Sequence, residues 1–126
     1  MKRSVLIVDD DPDIRFNLEF ALSTEGYQTI LADNGETALA KLAELGAEQL
    51  PTHIILDIMM PVMDGNTFLK QLKQKHPDWL AKISVIVATA MAAQLPKETL
   101  ALSSGLLKKP FDVDHLFDLL CKDKPG

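Results

Sequence analysis

The sequence predicts an α/β fold: a doubly wound, five-stranded parallel sheet with helices on both faces. Three observations carry this. Short apolar runs alternate with segments of helical period along all 126 residues. The runs are continuously apolar rather than alternating, as in strands buried on both faces. The strand–helix units number about five, too few for an eight-unit barrel, so an open sheet is the solution.

The elements follow in order. Ser4 to Val8 is a β-branched and aliphatic run, the first strand. Asp11-Pro12 starts a helix, with Asp11 as N-cap and Pro12 at the first helical position. Ile14, Leu18, Ala21 and Leu22 follow at helical spacing, and Gly26 ends that helix. Tyr27 to Ala32 is the second strand, and Asn34-Gly35 breaks the chain. Ala38, Leu39, Leu42 and Leu45 mark a second helix closed by Gly46. Thr52 to Leu56 is the third strand. After a loop over Pro61 to Gly65, with Asp64 as cap, Phe68, Leu69 and Leu72 begin a third helix that ends near His76-Pro77. Ile83 to Ala88 is the fourth strand. Pro96 opens a short helix over Lys97 to Leu102. Leu106-Leu107 leads through Lys108-Lys109-Pro110 as a short fifth strand, and Asp112 caps a last helix carrying Val113, Leu116, Phe117, Leu119 and Leu120. The domain is expected over residues 1–121, with 122–126 as a tail or linker stub.

Composition narrows the function. The net charge is −5, with no basic run, which argues against direct nucleic-acid binding by this domain. No apolar stretch reaches the roughly 20 residues that span a bilayer. Met1-Lys2-Arg3 and the following apolar run only faintly imitate a signal peptide, because Asp9-Asp10-Asp11 ends it too soon. The lone Cys121 excludes a disulfide framework and suits a reducing compartment, so a cytoplasmic location is expected.

In open α/β sheets the ligand site lies beyond the C-terminal strand ends, at the switch point of the strand order. The first strand runs into Asp9-Asp10, the third into Asp57, the fourth into Thr89 and the fifth into Lys109. A flavodoxin-like order 2-1-3-4-5 sets the first and third strands side by side and brings Asp9, Asp10 and Asp57 together. A carboxylate pair about 4 Å apart repels by roughly 4 kcal/mol near a protein surface, so the cluster calls for a cation or a proton. Oxygen-only ligands favour Mg²⁺, or Mn²⁺, over zinc. Lys109 and Thr89 offer a point charge and a hydroxyl suited to phosphoryl oxygens. An Asp beside such a metal can itself be the nucleophile. The chemistry implied is phosphoryl transfer to a carboxylate.

Four segments carry a resemblance: Val5 to Asp11, Leu56 to Gly65, Thr89-Ala90 and Lys109-Pro110-Phe111. With these, essentially the whole chain resembles the receiver domain of two-component response regulators. The resemblance implies that Asp57 is the phosphoacceptor. It implies Mg²⁺ coordination by Asp10 and Asp57, with Asp9 in support and the Met59 backbone carbonyl as a further ligand. Lys109 would contact the phosphoryl group across a cis bond to Pro110, and Thr89 would move toward that group on activation. A sensor histidine kinase or a histidine phosphotransfer domain would be the donor. An output domain or target protein, or a second copy in a phosphorylation-dependent homodimer, would be the next partner. The chain would be a switch that catalyses its own phosphorylation and dephosphorylation, not a classical enzyme.

Two departures from the family pattern matter. Leu106 stands where similar domains carry a Tyr or Phe switch residue, and the stretch from Thr89 to Lys109 is slightly short. A brief, displaced or mobile fourth helix is therefore expected. Met59 and Met91, two residues beyond Asp57 and Thr89, flank the path of the hydrolytic water and cannot hydrogen-bond it, so slow self-dephosphorylation is expected.

Simpler readings fit the remaining polar residues. Asp11 and Asp64 are caps, and Lys108 is a solvated charge because adjacent strand residues point to opposite faces. His53, His76 and His115 have no ligand spacing and are expected at the surface or at helix ends. Trp79 is expected to pack a loop, as are Met59, Met60 and Met63, and Cys121 to be buried on the apolar side of the last helix. A phosphatase with an aspartyl nucleophile needs a second acid at the place of Met59. A non-phosphorylated module would have lost an acid or the lysine. The Asp-rich first loop disfavours a flavin phosphate.

Overall fold

The computed structural model describes residues 3–90 and 94–122. The chain runs β1 (Ser4–Val8), α1 (Pro12–Thr24), β2 (Gln28–Ala32), α2 (Gly35–Leu45), β3 (His53–Asp57), α3 (Gly65–Lys75), α4 (Pro77–Lys82), β4 (Ser84–Thr89), α5 (Lys97–Leu102), β5 (Gly105–Lys108) and α6 (Val113–Lys122). All strands are parallel, in the order β2-β1-β3-β4-β5 that the sequence predicts.

Two apolar layers sandwich the sheet because alternate strand residues face opposite sides. Leu6, Val8, Ile54, Leu56, Val85 and Val87 pack under α2 and α3 with Leu42, Phe68 and Leu72. Val5, Ile7, Ile55, Ile86 and Leu107 pack under α1 and α6 with Leu18, Leu22, Leu116 and Leu120. Burying each large aliphatic side chain contributes about 1.5–3 kcal/mol, so these layers hold the strand ends in fixed register.

The helix ends follow their local chemistry. Asp11 accepts from the Asp13 amide, Asn34 from Thr37, Asp64 from Thr67 and Asp112 from His115. Gly26 (φ +87°) lets α1 close with paired bonds, Gly26 N–H to Ser23 and Tyr27 N–H to Leu22.

Several expectations are corrected. Trp79 lies in α4 rather than in a loop, stacked on His76 with ring centroids 3.6 Å apart. Six residues do not hold a helix by propensity; burial of the indole against the core supplies what the sequence pattern does not show. His53 is buried, not superficial, because β3 is covered along its whole length between β1 and β4; its Nδ1 lies 2.8 Å from Thr52 Oγ1. Cys121 is exposed, because Leu116 and Leu120 take the inward side of α6. Met60 and Met63 do pack against the core, whereas Met59 is 67% exposed. The helix between β4 and β5 is brief, as expected, at six residues. Lys122, expected in the tail, is the last residue of α6. Met91 and residues 123–126 lie outside the described residues. Among the described residues, no helix is long and apolar enough to cross a membrane.

Candidate functional site

The sheet's switch point lies between β1 and β3, and the residues following those strands meet there. The Asp9 amide continues the ladder by donating to the Ala32 carbonyl, which fixes where the chain leaves β1. The turn then closes on itself. Asp9 Oδ1 accepts from the Asp11 amide at 3.0 Å, and Arg15 reaches back from α1 to the Asp9 carbonyl at 2.7 Å. Asp57 ends β3, in register with Ala88 of β4, so Thr89 stands one residue further along the neighbouring strand.

Asp9, Asp10 and Asp57 each offer a carboxylate oxygen, all within 4.8 Å of one another. Asp9 and Asp57 are buried and Asp10 is exposed, so the cluster has a closed floor and an open mouth. Lys109 follows β5, its amide bound to the Thr89 carbonyl, and its peptide bond to Pro110 is cis. Its Nζ lies 2.9 Å from Asp9 Oδ2 and 3.4 Å from Asp57 Oδ1. Lys108, the last residue of β5, is exposed.

The electrostatics follow from this packing. Burial raises the Asp57 carboxyl from its ordinary 3.8 to about 6. Repulsion from Asp9 adds to the rise and Lys109 opposes it. Burial alone would lower the Lys109 ammonium, but its hydrogen bond to Asp9 and the charges of Asp57 and Asp9 outweigh that and leave it raised. The Lys109 ammonium thus offsets only part of the charge of the three acids. Three convergent carboxylates with no nitrogen or sulfur donor among them match a hard divalent cation such as Mg²⁺.

The loop after Asp57 is held tightly. Gly65 donates to the Ile58 carbonyl, and a Cβ at Gly65 would lie 2.6 Å from the Asp57 carbonyl oxygen, so only glycine fits. Val62 has φ +67°, a costly conformation for a β-branched residue, beneath a 2.7 Å bond from the Met63 amide to the Pro61 carbonyl. Beside this loop Asp10, Met59, Asp64 and Asn66 line a shallow hollow.

A family model described as the response regulator receiver domain matches residues 5–120. The chain belongs to that family. It is 39% identical over 124 residues to the DNA-binding transcriptional regulator NtrC of Salmonella typhimurium, covering 95% of this chain and 24% of that protein. The chain therefore spans about a quarter of that relative's length. It is 36% identical to sporulation initiation phosphotransferase F of Bacillus subtilis, covering 99% and 96% of the two chains. The structure of response regulator TrrA of Thermotoga maritima, in complex with Mg²⁺ and BeF, aligns with TM-score 0.78 and 31% identity over 95% of this chain and 97% of that one. The chain is thus a two-component phosphoacceptor receiver domain, a signalling switch rather than a classical enzyme, of a family that binds Mg²⁺ at this acidic pocket.

Asp9, Asp10, Asp57, Thr89 and Lys109, which the sequence nominates, lie at one edge of the sheet. Others were missed. Phe16 and Phe20 are 64% and 65% exposed on the side of α1 away from Leu18 and Leu22. Beside Phe20, Ile14, Ala21, Ala90, Lys109, Pro110 and Phe111 line an apolar hollow. The signal was present as a second apolar pair at i, i+4, out of phase with the core stripe. The reach of Arg15 to the Asp9 carbonyl, across a single turn, and the contact between Asn66 and Thr99, across 33 residues, were not read from the sequence.

Proposed function

We propose that Asp57 accepts a phosphoryl group from the phosphohistidine of a sensor histidine kinase or a histidine phosphotransfer domain. The observation that carries this is the meeting of the Asp9, Asp10 and Asp57 carboxylates within 4.8 Å, with Lys109 Nζ bridging two of them. In the transfer an Asp57 oxygen forms the new O–P bond as the donor's P–N bond breaks. The electron pair stays on the imidazole nitrogen, which takes up a proton. Asp57 must be ionised to attack, and with its carboxyl near 6 it is mostly so at neutral pH. Lys109 meets a phosphoryl oxygen with the charge it now shares between Asp9 and Asp57, and Thr89 offers its hydroxyl to another.

Asp10 and Asp57 would hold Mg²⁺ (or Mn²⁺) together with the Met59 backbone carbonyl, with Asp9 alongside. When bound, the ion supplies positive charge for the phosphoryl oxygens in transfer and in hydrolysis. With that ion the chain would catalyse its own phosphorylation and dephosphorylation.

The donor protein docks over α1. Phe16 and Phe20 are exposed there, and Lys109 lines both the apolar hollow beside Phe20 and the acid cluster, so a partner seated on this face covers the acceptor. The receiver domain extends through α6 to Lys122 and works in the cytoplasm. Phosphorylation replaces the single charge of the Asp57 carboxylate by up to two on the phosphoryl group, a net gain of about one, adds three acceptor oxygens, and shifts the surface offered to an output domain, a target protein or a second copy. The negative net charge leaves nucleic acid to that partner rather than to this domain.

Intact mass spectrometry after incubation with acetyl phosphate and Mg²⁺ tests the reading. A single phosphoryl adduct is expected, absent from Asp57→Asn and from a chelated sample. An adduct persisting in Asp57→Asn would refute the assignment. A folded, Mg²⁺-binding protein that takes no phosphoryl group from acetyl phosphate or from a phosphorylated kinase would refute the function.

A further inference from the structure

Helix α5 does not hold itself in place. It has six residues and no side-chain cap at its N-terminus, so its position depends on what it touches. Leu95 and Leu102, at its two ends, pack partly against the core. Between them Thr99 is 3% exposed, a buried polar side chain that needs a partner. Its hydroxyl donates to Asn66 Oδ1, across 33 residues of sequence.

Asn66 is the second residue of α3. Its neighbour Gly65 abuts the Asp57 carbonyl so closely that no Cβ fits, and the Asp64 side chain caps the same helix end. The backbone at Asn66 is therefore rigidly tied to the acceptor strand. Its side chain lines the hollow that holds Asp10, Met59 and Asp64. With Oδ1 committed to Thr99, the amide nitrogen is the end left for that hollow, whose charged groups are both acidic. At Leu106 no polar atom is available to connect site and surface; the residue only packs partly against the same core layer.

We propose that the Asn66–Thr99 hydrogen bond is a latch that couples α5 to the acceptor site. A phosphoryl group on Asp57 adds acceptor oxygens beside the hollow and holds the Asn66 amide nitrogen toward them. That keeps Oδ1 on Thr99 and docks α5 more firmly. This inference rests on the phosphoacceptor reading above.

Amide exchange tests it, because Leu100 N–H donates to Pro96 and Ser103 N–H to Thr99, and both report on α5. In the unmodified protein Thr99→Val, which keeps shape and loses the donor, is expected to speed exchange at both amides by about five- to tenfold. Thr99→Ser is expected to restore slow exchange. Phosphorylation is expected to slow exchange in the wild type and in Thr99→Ser, and to leave it unchanged in Thr99→Val and Asn66→Ala. Intact mass is followed on every sample. If an adduct forms but α5 exchange is the same in Thr99→Val and wild type, apolar packing alone holds the helix and the latch is refuted. If phosphorylation slows α5 equally in Asn66→Ala, coupling runs elsewhere and the latch is again refuted. Absence of any adduct in the wild type, with acetyl phosphate and with a phosphorylated kinase alike, refutes the phosphoacceptor reading instead, while Thr99→Val still reports whether the hydrogen bond holds α5.

Discussion

Replacing Asp57 by Asn should stabilise the metal-free domain at neutral pH, although it removes the phosphoacceptor. Burial and the Asp9 charge raise the Asp57 carboxyl from 3.8 to about 6 even against the pull of Lys109. A tenfold weaker acid corresponds to about 1.36 kcal/mol, so the rise to about 6 gives an upper figure of about 3 kcal/mol for ionised Asp57 in the fold. The mouth of the site is open at Asp10, and solvent screening reduces the expected gain to about 1–2 kcal/mol. The sign sets the pH window. Between about pH 4 and 6 the folded chain keeps a proton that the unfolded chain has released, so wild-type stability falls as pH rises through that window. Below it the carboxyl is neutral in both states and carries no penalty. Above it the whole penalty is present. Lys109 keeps its 2.9 Å bond to Asp9 in the variant, so the exchange does not strand the ammonium. Urea denaturation of both proteins at about pH 3.5, 5 and 7, in chelator, would measure this. The gap is expected to be near zero at the lowest pH, to open through the middle one, and to level off by neutrality. Saturating Mg²⁺ should narrow it at neutral pH by binding the wild-type acids more tightly. Equal stabilities at neutral pH, or a gap of the same size in acid, would refute the claim that ionised Asp57 is disfavoured in the fold.

Three further outcomes are expected. Met59→Asn or Met59→Glu places a hydrogen-bonding group at the exposed rim of the acceptor, and should speed decay of the phosphoryl adduct about fivefold, the worth of one net hydrogen bond; an unchanged half-life by intact mass would refute the water-path role. Gly65→Ala would set its Cβ 2.6 Å from the Asp57 carbonyl oxygen and 2.7 Å from Ile58 Cδ1, and should cost about 1–3 kcal/mol in a denaturation curve while slowing phosphorylation by acetyl phosphate. Phe16→Ser with Phe20→Ser should weaken phosphotransfer from a partner protein by at least about tenfold and leave the acetyl phosphate reaction unchanged; loss of both reactions together would argue against a docking role.

Much of the fold was legible because its determinants are local. Asp11, Asp64 and Asp112 cap helices with bonds to amides two or three residues on, so composition and position within the chain sufficed to find them, whereas Asn34, read only as a chain break, also proves to be a cap. The five apolar runs found their strands to within a residue or two, because a strand covered on both faces tolerates no polar interior. The site was legible for a related reason. Parallel topology sends every strand's C-terminal end to one edge, so Asp9, Asp57, Thr89 and Lys109 had to meet once the order 2-1-3-4-5 was recognised.

What escaped the sequence depends on partners distant along the chain. His53 reads as polar and is buried because β1 and β4 close over β3. Trp79 reads as a loop residue and builds a helical turn because the core accepts its indole. Phe16 and Phe20 are as apolar as any core residue and yet stand in solvent, since α1 has only one face against the sheet. The pairing of Asn66 with Thr99 has no local trace at all. The sequence alone therefore determined the five strands and every helix but α4, the strand order and the acids, lysine and threonine at the sheet edge, because periodicity, capping and parallel topology act through near neighbours and a single sheet edge. Only the tertiary structure decided burial, the charge balance that raises Asp57, and the contact tying α5 to the site, because each arises where separate elements pack and exclude water.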